Sequence, residues 1–228
     1  MEFKLADDLS KKIRINITNI AREYWEMFIL NGLYSDALGA NLIFKGGTAL
    51  RFIYNSPRFS EDLDFSLLAK INFIDFKKTV KDIASQQPEL SIKEIYSKKN
   101  TYFALIKFKQ EYLAQTLSIK VEISKRKFSL KKDVDFILAT ASSPTTNLKP
   151  LVKVFTIERI LKEKMNALSS RKKARDLFDV WFIGQLLKKQ ISFPEIKLKE
   201  KDVKQELNRL LPENYKPVVP QLVNLCRK

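Results

Sequence analysis

The chain has 228 residues, 45% hydrophobic and 11% aromatic, enough apolar material for one core or two small lobes and too much for a disordered chain. Lys and Arg number 42 against 26 Asp and Glu, and the resulting charge of +16 favours polyanionic partners, nucleic acid or nucleotides ahead of a membrane surface. With no histidine, mechanisms that need an imidazole base, a Ser-His-Asp triad or a His-ligated zinc are excluded. The single cysteine, Cys226, can form no intrachain disulfide and suits a reducing compartment. No apolar run approaches the roughly 18 residues of a membrane span. The start, MEFKLADDLS, places acids where a signal peptide needs basic and then apolar residues. The expectation is a cytoplasmic protein with no membrane partner.

In chain order, Leu9, Ile13, Ile17, Ile20, Tyr24, Met27 and Phe28 recur at helical spacing and predict one helix from about Asp8 to Leu30. A short helix from Ser35 leads to the apolar strand Leu42-Ile43-Phe44. Lys45-Gly46-Gly47-Thr48 then reads as a tight turn, followed by a helix through Tyr54 that Pro57 ends. Ser60 to Leu67 alternates as a strand, with Asp62 and Asp64 on one face and Leu63, Phe65 and Leu67 on the other. A helix at Asn72–Ser85 follows, then strands at Leu90–Tyr96, Tyr102–Phe108 and Leu117–Ser124. Ala141–Pro150 (ASSPTTNLKP) reads as a linker. Helices are predicted beyond it at Ile157–Ser169, Ala174–Lys189 and near Lys201–Leu211. The pattern describes an α+β chain: residues 1–145 form a mixed-sheet core with flanking helices, and residues 146–228 a mostly helical C-terminal lobe.

Three features carry chemistry. Gly46-Gly47 lets backbone amides approach a ligand, and Thr48 can cap a helix whose N-terminus favours phosphate. Asp62 and Asp64, two apart on a strand, hold their carboxylates side by side. Such a pair repels itself unless a cation intervenes, and magnesium suits oxygen ligands while leaving positions for water and phosphate. Glu122 occupies the polar face of Leu117–Ser124 together with Ser118, Lys120 and Ser124. Each feature alone also describes an ordinary turn or solvated strand face. Further on, Lys149 to Arg175 holds nine Lys or Arg and two Glu. In a continuous helix Lys164, Arg171 and Arg175 would share a face, and Arg175–Asp179 would form an i,i+4 pair.

Taken together, Lys45-Gly46-Gly47-Thr48-Ala49-Leu50-Arg51 and Arg58-Phe59-Ser60-Glu61-Asp62-Leu63-Asp64-Phe65 resemble the signature of the AbiEii/AbiGii-type nucleotidyltransferase toxins, of the DNA polymerase β-like superfamily. The resemblance continues at Glu122, through Glu158–Leu168, and through Arg171-Lys172-Lys173-Ala174-Arg175-Asp176-Leu177-Phe178-Asp179-Val180. It implies that Gly46, Gly47 and Thr48 hold nucleotide phosphates and that Asp62, Asp64 and Glu122 bind metal. It further implies that Lys164 contacts phosphate and that Asp176 assists catalysis. Asp62, Asp64, Lys164 and Asp176 would then be the catalytic set, and Arg171, Lys172, Lys173 and Arg175 a basic surface for nucleic acid. The implied activity is transfer of NMP from an NTP to an acceptor, tRNA or other RNA, with magnesium or alternatively manganese, by the toxin of a toxin–antitoxin or abortive-infection system. A cognate antitoxin protein is the implied partner. Two other readings stand beside it: the same chemistry on a protein or small molecule, and a non-catalytic nucleic-acid-binding module. The last has no need of spaced carboxylates, and a small acceptor gives no reason for the charge.

Overall fold

A computed structural model describes residues 1–126, 129–194 and 198–225; Cys226 lies outside the described residues. The expected α+β class holds: among the described residues seven strands form one mixed sheet in the order β3-β4-β5-β2-β1-β7-β6, with helices packed around it. The strands are β1 (Leu42–Lys45), β2 (Asp62–Leu67), β3 (Leu90–Lys98), β4 (Thr101–Phe108), β5 (Leu117–Ser124), β6 (Phe136–Thr140) and β7 (Leu151–Phe155). The helices are α1 (Phe3–Ile13), α2 (Ile17–Ser35), α3 (Gly46–Tyr54), α4 (Phe73–Ser85), α5 (Ile157–Arg171), α6 (Ala174–Leu187), α7 (Glu200–Leu210) and α8 (Val219–Leu225). None is long and apolar enough to cross a membrane among the described residues.

Period-two alternation sets which sheet face enters the core. Tyr102, Ala104, Ile106 and Phe108 of β4, Ile119, Val121 and Ile123 of β5, and Leu63 and Phe65 of β2 are all buried. They join Trp25, Leu30 and Leu33 of α2 and Phe76 and Val80 of α4 in one apolar cluster. The alternate residues of β2 and β5 therefore occupy the opposite face. A second cluster, Leu168, Leu177, Phe178, Val203, Leu207 and Leu222 among its members, packs the C-terminal helices.

Three expectations are corrected. The single helix expected from Asp8 to Leu30 is two, because Arg14 takes a left-handed conformation (φ 60°) and Asn16 caps α2 by accepting from Thr18 N at 2.9 Å. The apolar spacing stays in phase across the break, which hides it from periodicity. No separate Gly-Gly turn exists either: β1 passes directly into α3, with Gly46 at φ 81° as its first residue. Finally, Ala141–Pro150 links β6 to β7 within the same sheet, and β7 pairs in parallel with β1. The sheet thus continues past residue 146 to Phe155.

This connection is tied down by a buried carboxylate. Glu23 on α2, 2% exposed, accepts from Arg51 Nε of α3 at 2.8 Å and from Ser143 Oγ at 2.6 Å. Arg51 Nη1 also donates to Ser56 O at 3.0 Å. Arg51→Ala leaves the buried carboxylate without its cation and is expected to cost about 3 kcal/mol of unfolding free energy in urea titration. The double change Glu23→Gln with Arg51→Met is expected to cost less than Arg51→Ala alone, and a larger loss would contradict this assignment.

Candidate active site

The parallel pairing of β2 with β5 places Asp62 opposite Lys120 and Asp64 opposite Glu122. The antiparallel pairing of β1 with β2 sets Lys45 opposite Asp64. Because Leu63, Phe65, Val121 and Ile123 fill the core, the three acids share the other face. They do not converge into a ready-made cation cage, and no such group occurs among the described residues. Lys120 explains the spacing: its Nζ lies 3.2 Å from Asp62 Oδ2 and 3.5 Å from Glu122 Oε2. Burial would weaken the Lys120 ammonium, but Asp62, Asp64 and Glu122 together outweigh that and hold it more firmly protonated. Asp64 behaves oppositely. Burial and then the neighbouring Asp62 raise its proton affinity, and the cations Lys120, Lys45 and Lys164 only partly offset them.

Of Gly46, Gly47 and Thr48, only Gly46 lines the cleft beside Asp64. A Cβ there would lie 2.7 Å from Asp64 Oδ2, and the positive φ independently favours glycine. Gly47 is buried, and a Cβ on it would meet Arg58 Nη2 at 2.3 Å. Thr48 is buried as well, its hydroxyl donating to the carbonyl of Asp62. Gly47 and Thr48 therefore support β2 and Arg58 from behind.

The helical side of the site is a chain of charges, buried except at Arg171. Arg58, in the α3–β2 connection, grips Asp179 of α6 with two bonds, Nε to Oδ1 at 2.7 Å and Nη2 to Oδ2 at 2.9 Å. Lys164 of α5 places its Nζ 2.6 Å from Asp179 Oδ2 and 3.2 Å from Asp176 Oδ1. Arg171 completes the chain by donating from Nε and Nη2 to Asp176 at 2.6 and 2.8 Å. Both Asp side chains are fully buried. Burial pushes their acidity down, yet Arg171 and Lys164 for Asp176, and Arg58 and Lys164 for Asp179, more than reverse it and keep both carboxyls below 3.8.

The two helices expected at 157–169 and 174–189 are separate, since α5 ends at Arg171 and Lys172 takes a left-handed conformation (φ 49°), so the condition for Lys164, Arg171 and Arg175 to share one helix face is not met. Arg175 consequently faces Glu206 at 3.7 Å, and its expected pairing with Asp179 is replaced by those of Arg58 and Lys164. Lys172 and Lys173 are exposed at the α5–α6 turn. Between sheet and helices lies a cleft of about 680 Å³ whose walls include Lys45, Gly46, Asp64, Glu122, Lys164 and Arg171. Lys45 also pairs with Glu163 across it at 3.2 Å. Sequence reasoning missed Arg58, Lys45 and Lys120 as site residues. Lys45 and Arg58 lay inside the recognised motif segments without an assigned role, and Lys120 carried a local signal, a lysine two residues from Glu122 on a strand's polar face.

Because Asp179 is more acidic folded than unfolded, its contribution to stability is complete above 3.8 and is lost as pH falls through its lower folded value. Asp179→Asn is expected to lower stability by about 3 kcal/mol at pH 7 in denaturant titration. That deficit should shrink in acid. A deficit independent of pH would show that the charge of Asp179 is not what stabilises the fold.

A search of the curated proteins finds no match. Among solved structures, JHP933 from Helicobacter pylori aligns with a TM-score of 0.60 at 21% identity, over 93% of this chain and 92% of that one. A structure from the same organism, described as that of a putative nucleotidyltransferase, aligns at 0.54 and 19%, over 90% and 92% of the two chains. MenT4, a nucleotidyltransferase toxin from Mycobacterium tuberculosis, aligns at 0.52 and 16%, over 92% and 84%. At these identities the likeness is one of fold. The sequence itself matches, over residues 29–215, the family model described as the nucleotidyl transferase AbiEii toxin of type IV toxin–antitoxin systems. That span takes in the carboxylate strands, the cleft and the linked charges, and the chain belongs to the AbiEii nucleotidyltransferase toxin family.

Proposed function

We propose that this chain transfers NMP from an NTP to the 3′ end of an RNA, with tRNA as the leading acceptor, in a reaction that uses magnesium. The observation that carries the reading is the register of β2 and β5, which sets Asp62, Asp64 and Glu122 on one face above a cleft walled by Lys45, Lys164 and Arg171. Family membership supplies the NTP and a cognate antitoxin; the acceptor and the metal are our assignment.

The donor set fits a divalent cation. It is all oxygen, and the raised proton affinity of Asp64 marks a local shortage of positive charge that a cation would relieve. Asp62 and Asp64 would hold the metal, with Glu122 beside them, and a metal held there supplies Lewis-acid activation of the phosphate and of the acceptor hydroxyl. In the transfer, the acceptor oxygen forms a bond to the α-phosphorus as the bond to the pyrophosphate breaks. Lys45, Lys164 and Arg171 offset charge on the phosphates from the cleft walls. Gly46, with no side chain, lets a ligand approach Asp64 closely. Asp176 has both oxygens engaged by Lys164 and Arg171, so its role is to position those two cations. No step needs the absent imidazole. The +16 charge suits a polyanionic acceptor.

Purified protein with magnesium, each α-labelled NTP in turn and a total tRNA pool is expected to label RNA, and Asp62→Asn is expected to label nothing. Label on a protein band that survives ribonuclease would overturn the acceptor; labelling by Asp62→Asn would overturn the carboxylate pair. A second outcome follows from Asp64, whose folded carboxyl ionises less readily than an unfolded one and so destabilises the fold above 3.8. Asp64→Asn should therefore abolish transfer yet raise the melting temperature of the metal-free protein by about 1–3 °C. A lowered melting temperature would contradict the charge argument.

A further inference from the structure

The face that carries the acids does not stop at β5. Register continues the row outward: Lys45 on β1 pairs with Asp64 on β2, Asp64 with Glu122 on β5, Glu122 with Phe103 on β4, and Phe103 with Tyr96 on β3. Residues opposite one another on neighbouring strands project from the same face, so five side chains in one transverse line run from the cleft to the sheet edge. The last two are aromatic. Their rings stack with centroids 4.6 Å apart and planes 11° from parallel.

Both rings are half-buried, whereas the buried face of the same strands holds Tyr102, Ala104, Ile106 and Phe108 in the apolar core. They lie on the face opposite that core. Lys98 Nζ stands 5.0 Å from the Tyr96 ring centroid, and Ser124 and Arg126, where β5 ends, line the cleft itself. An aromatic stack flanked by cations and leading to a cleft is the chemistry that holds single-stranded nucleic acid, since every base offers a ring face and every linkage a charge. Two strand spacings, about 10 Å, separate Phe103 from Asp64 along the row.

We propose that Tyr96 and Phe103 form a subsite for an unpaired base of the acceptor RNA, next to the reacting 3′ end. This rests on the RNA reading above and extends it. The nucleotide occupies the cleft between sheet and α5, and the acceptor strand arrives from the opposite side, over β4 and β3. Stacking with few hydrogen bonds makes such a subsite tolerant of base identity, so it selects for an unpaired end more than for a sequence. The cation–π arrangement at Lys98 favours the same polyanion.

The test is fluorescence anisotropy of the full chain with a short fluorescein-labelled single-stranded RNA bearing a free 3′ end, at fixed salt. Binding of a non-hydrolysable NTP analogue is followed in parallel by calorimetry. Tyr96→Ala with Phe103→Ala is expected to weaken RNA binding by about 5- to 100-fold and leave analogue binding unchanged. Tyr96→Phe with Phe103→Tyr, which keeps both rings, is expected to bind RNA as the wild type does and controls for damage to the β3–β4 pair. The same RNA annealed into a blunt duplex should bind no more weakly to the alanine variant than to the wild type. RNA affinity unchanged in the alanine variant would overturn the subsite while leaving the RNA reading intact. A loss of analogue binding with RNA binding retained would also overturn it, by assigning the stack to the incoming nucleotide. Wild-type protein that binds the analogue and no RNA would overturn the RNA reading, and the subsite with it.

Discussion

Everything around the cleft depends on the grip of Arg58 on Asp179. Arg58 belongs to the connection between α3 and β2, while Asp179 belongs to α6, so the pair joins the start of the acidic strand to the helical layer. Two buried charges are costly to desolvate, and the bidentate geometry with a further bond from Arg58 Nη1 to Phe59 O offsets that cost. The pair also dictates what stands behind it. Gly47 is glycine because the guanidinium passes where a side chain would be. Lys164 then finds a seat between Asp179 and Asp176, and Arg171 closes on Asp176. Counting these five side chains, three cations answer two acids, so the network presents a positive surplus toward the cleft.

Across the cleft the sheet carries the complementary excess. Asp62, Asp64 and Glu122 crowd one face because β2 and β5 pair in parallel with Asp64 and Glu122 in register. Lys120 relieves Asp62 and Glu122, and the residual strain falls on Asp64. A carboxylate arranged in this way costs stability relative to a neutral side chain, and the cation we assign to it would relieve the same excess of negative charge. Stability and affinity are opposed at a single carboxyl. The AbiEii family resemblance and the physical reading meet at this point, since a nucleotidyltransferase needs acids that are poorly compensated until metal and phosphate arrive.

The sequence made local pattern legible and long-range pairing illegible. The strand at Leu117–Ser124 and the alternation around Asp62 and Asp64 were readable because period-two burial leaves its mark on consecutive residues. The helix break at Arg14 was hidden because Ile13, Ile17 and Ile20 keep their phase across it. β6 and β7 escaped notice because each is five residues long and their Pro-rich connection mimics a linker. Arg58 sat inside a recognised motif without an assigned role, for its partner lies 121 residues away in sequence.

What the sequence determined by itself is chemistry: no imidazole, a positive chain, paired acids on one strand, and the motif order of a nucleotidyltransferase family. Those properties reside in residue identity and short spacing, which no packing arrangement can alter. The tertiary structure decided assignment. It packed Gly47 against Arg58 and Thr48 against the carbonyl of Asp62, put Arg175 on a different helix from Arg171, paired Asp176 with Lys164 and Arg171, and set Lys120 between two of the acids. Each of those outcomes turns on which strand or helix lies alongside which, and on where a charge finds its counter-charge. Pairing of this kind is set by burial over the whole chain, and a single stretch of sequence carries no record of it.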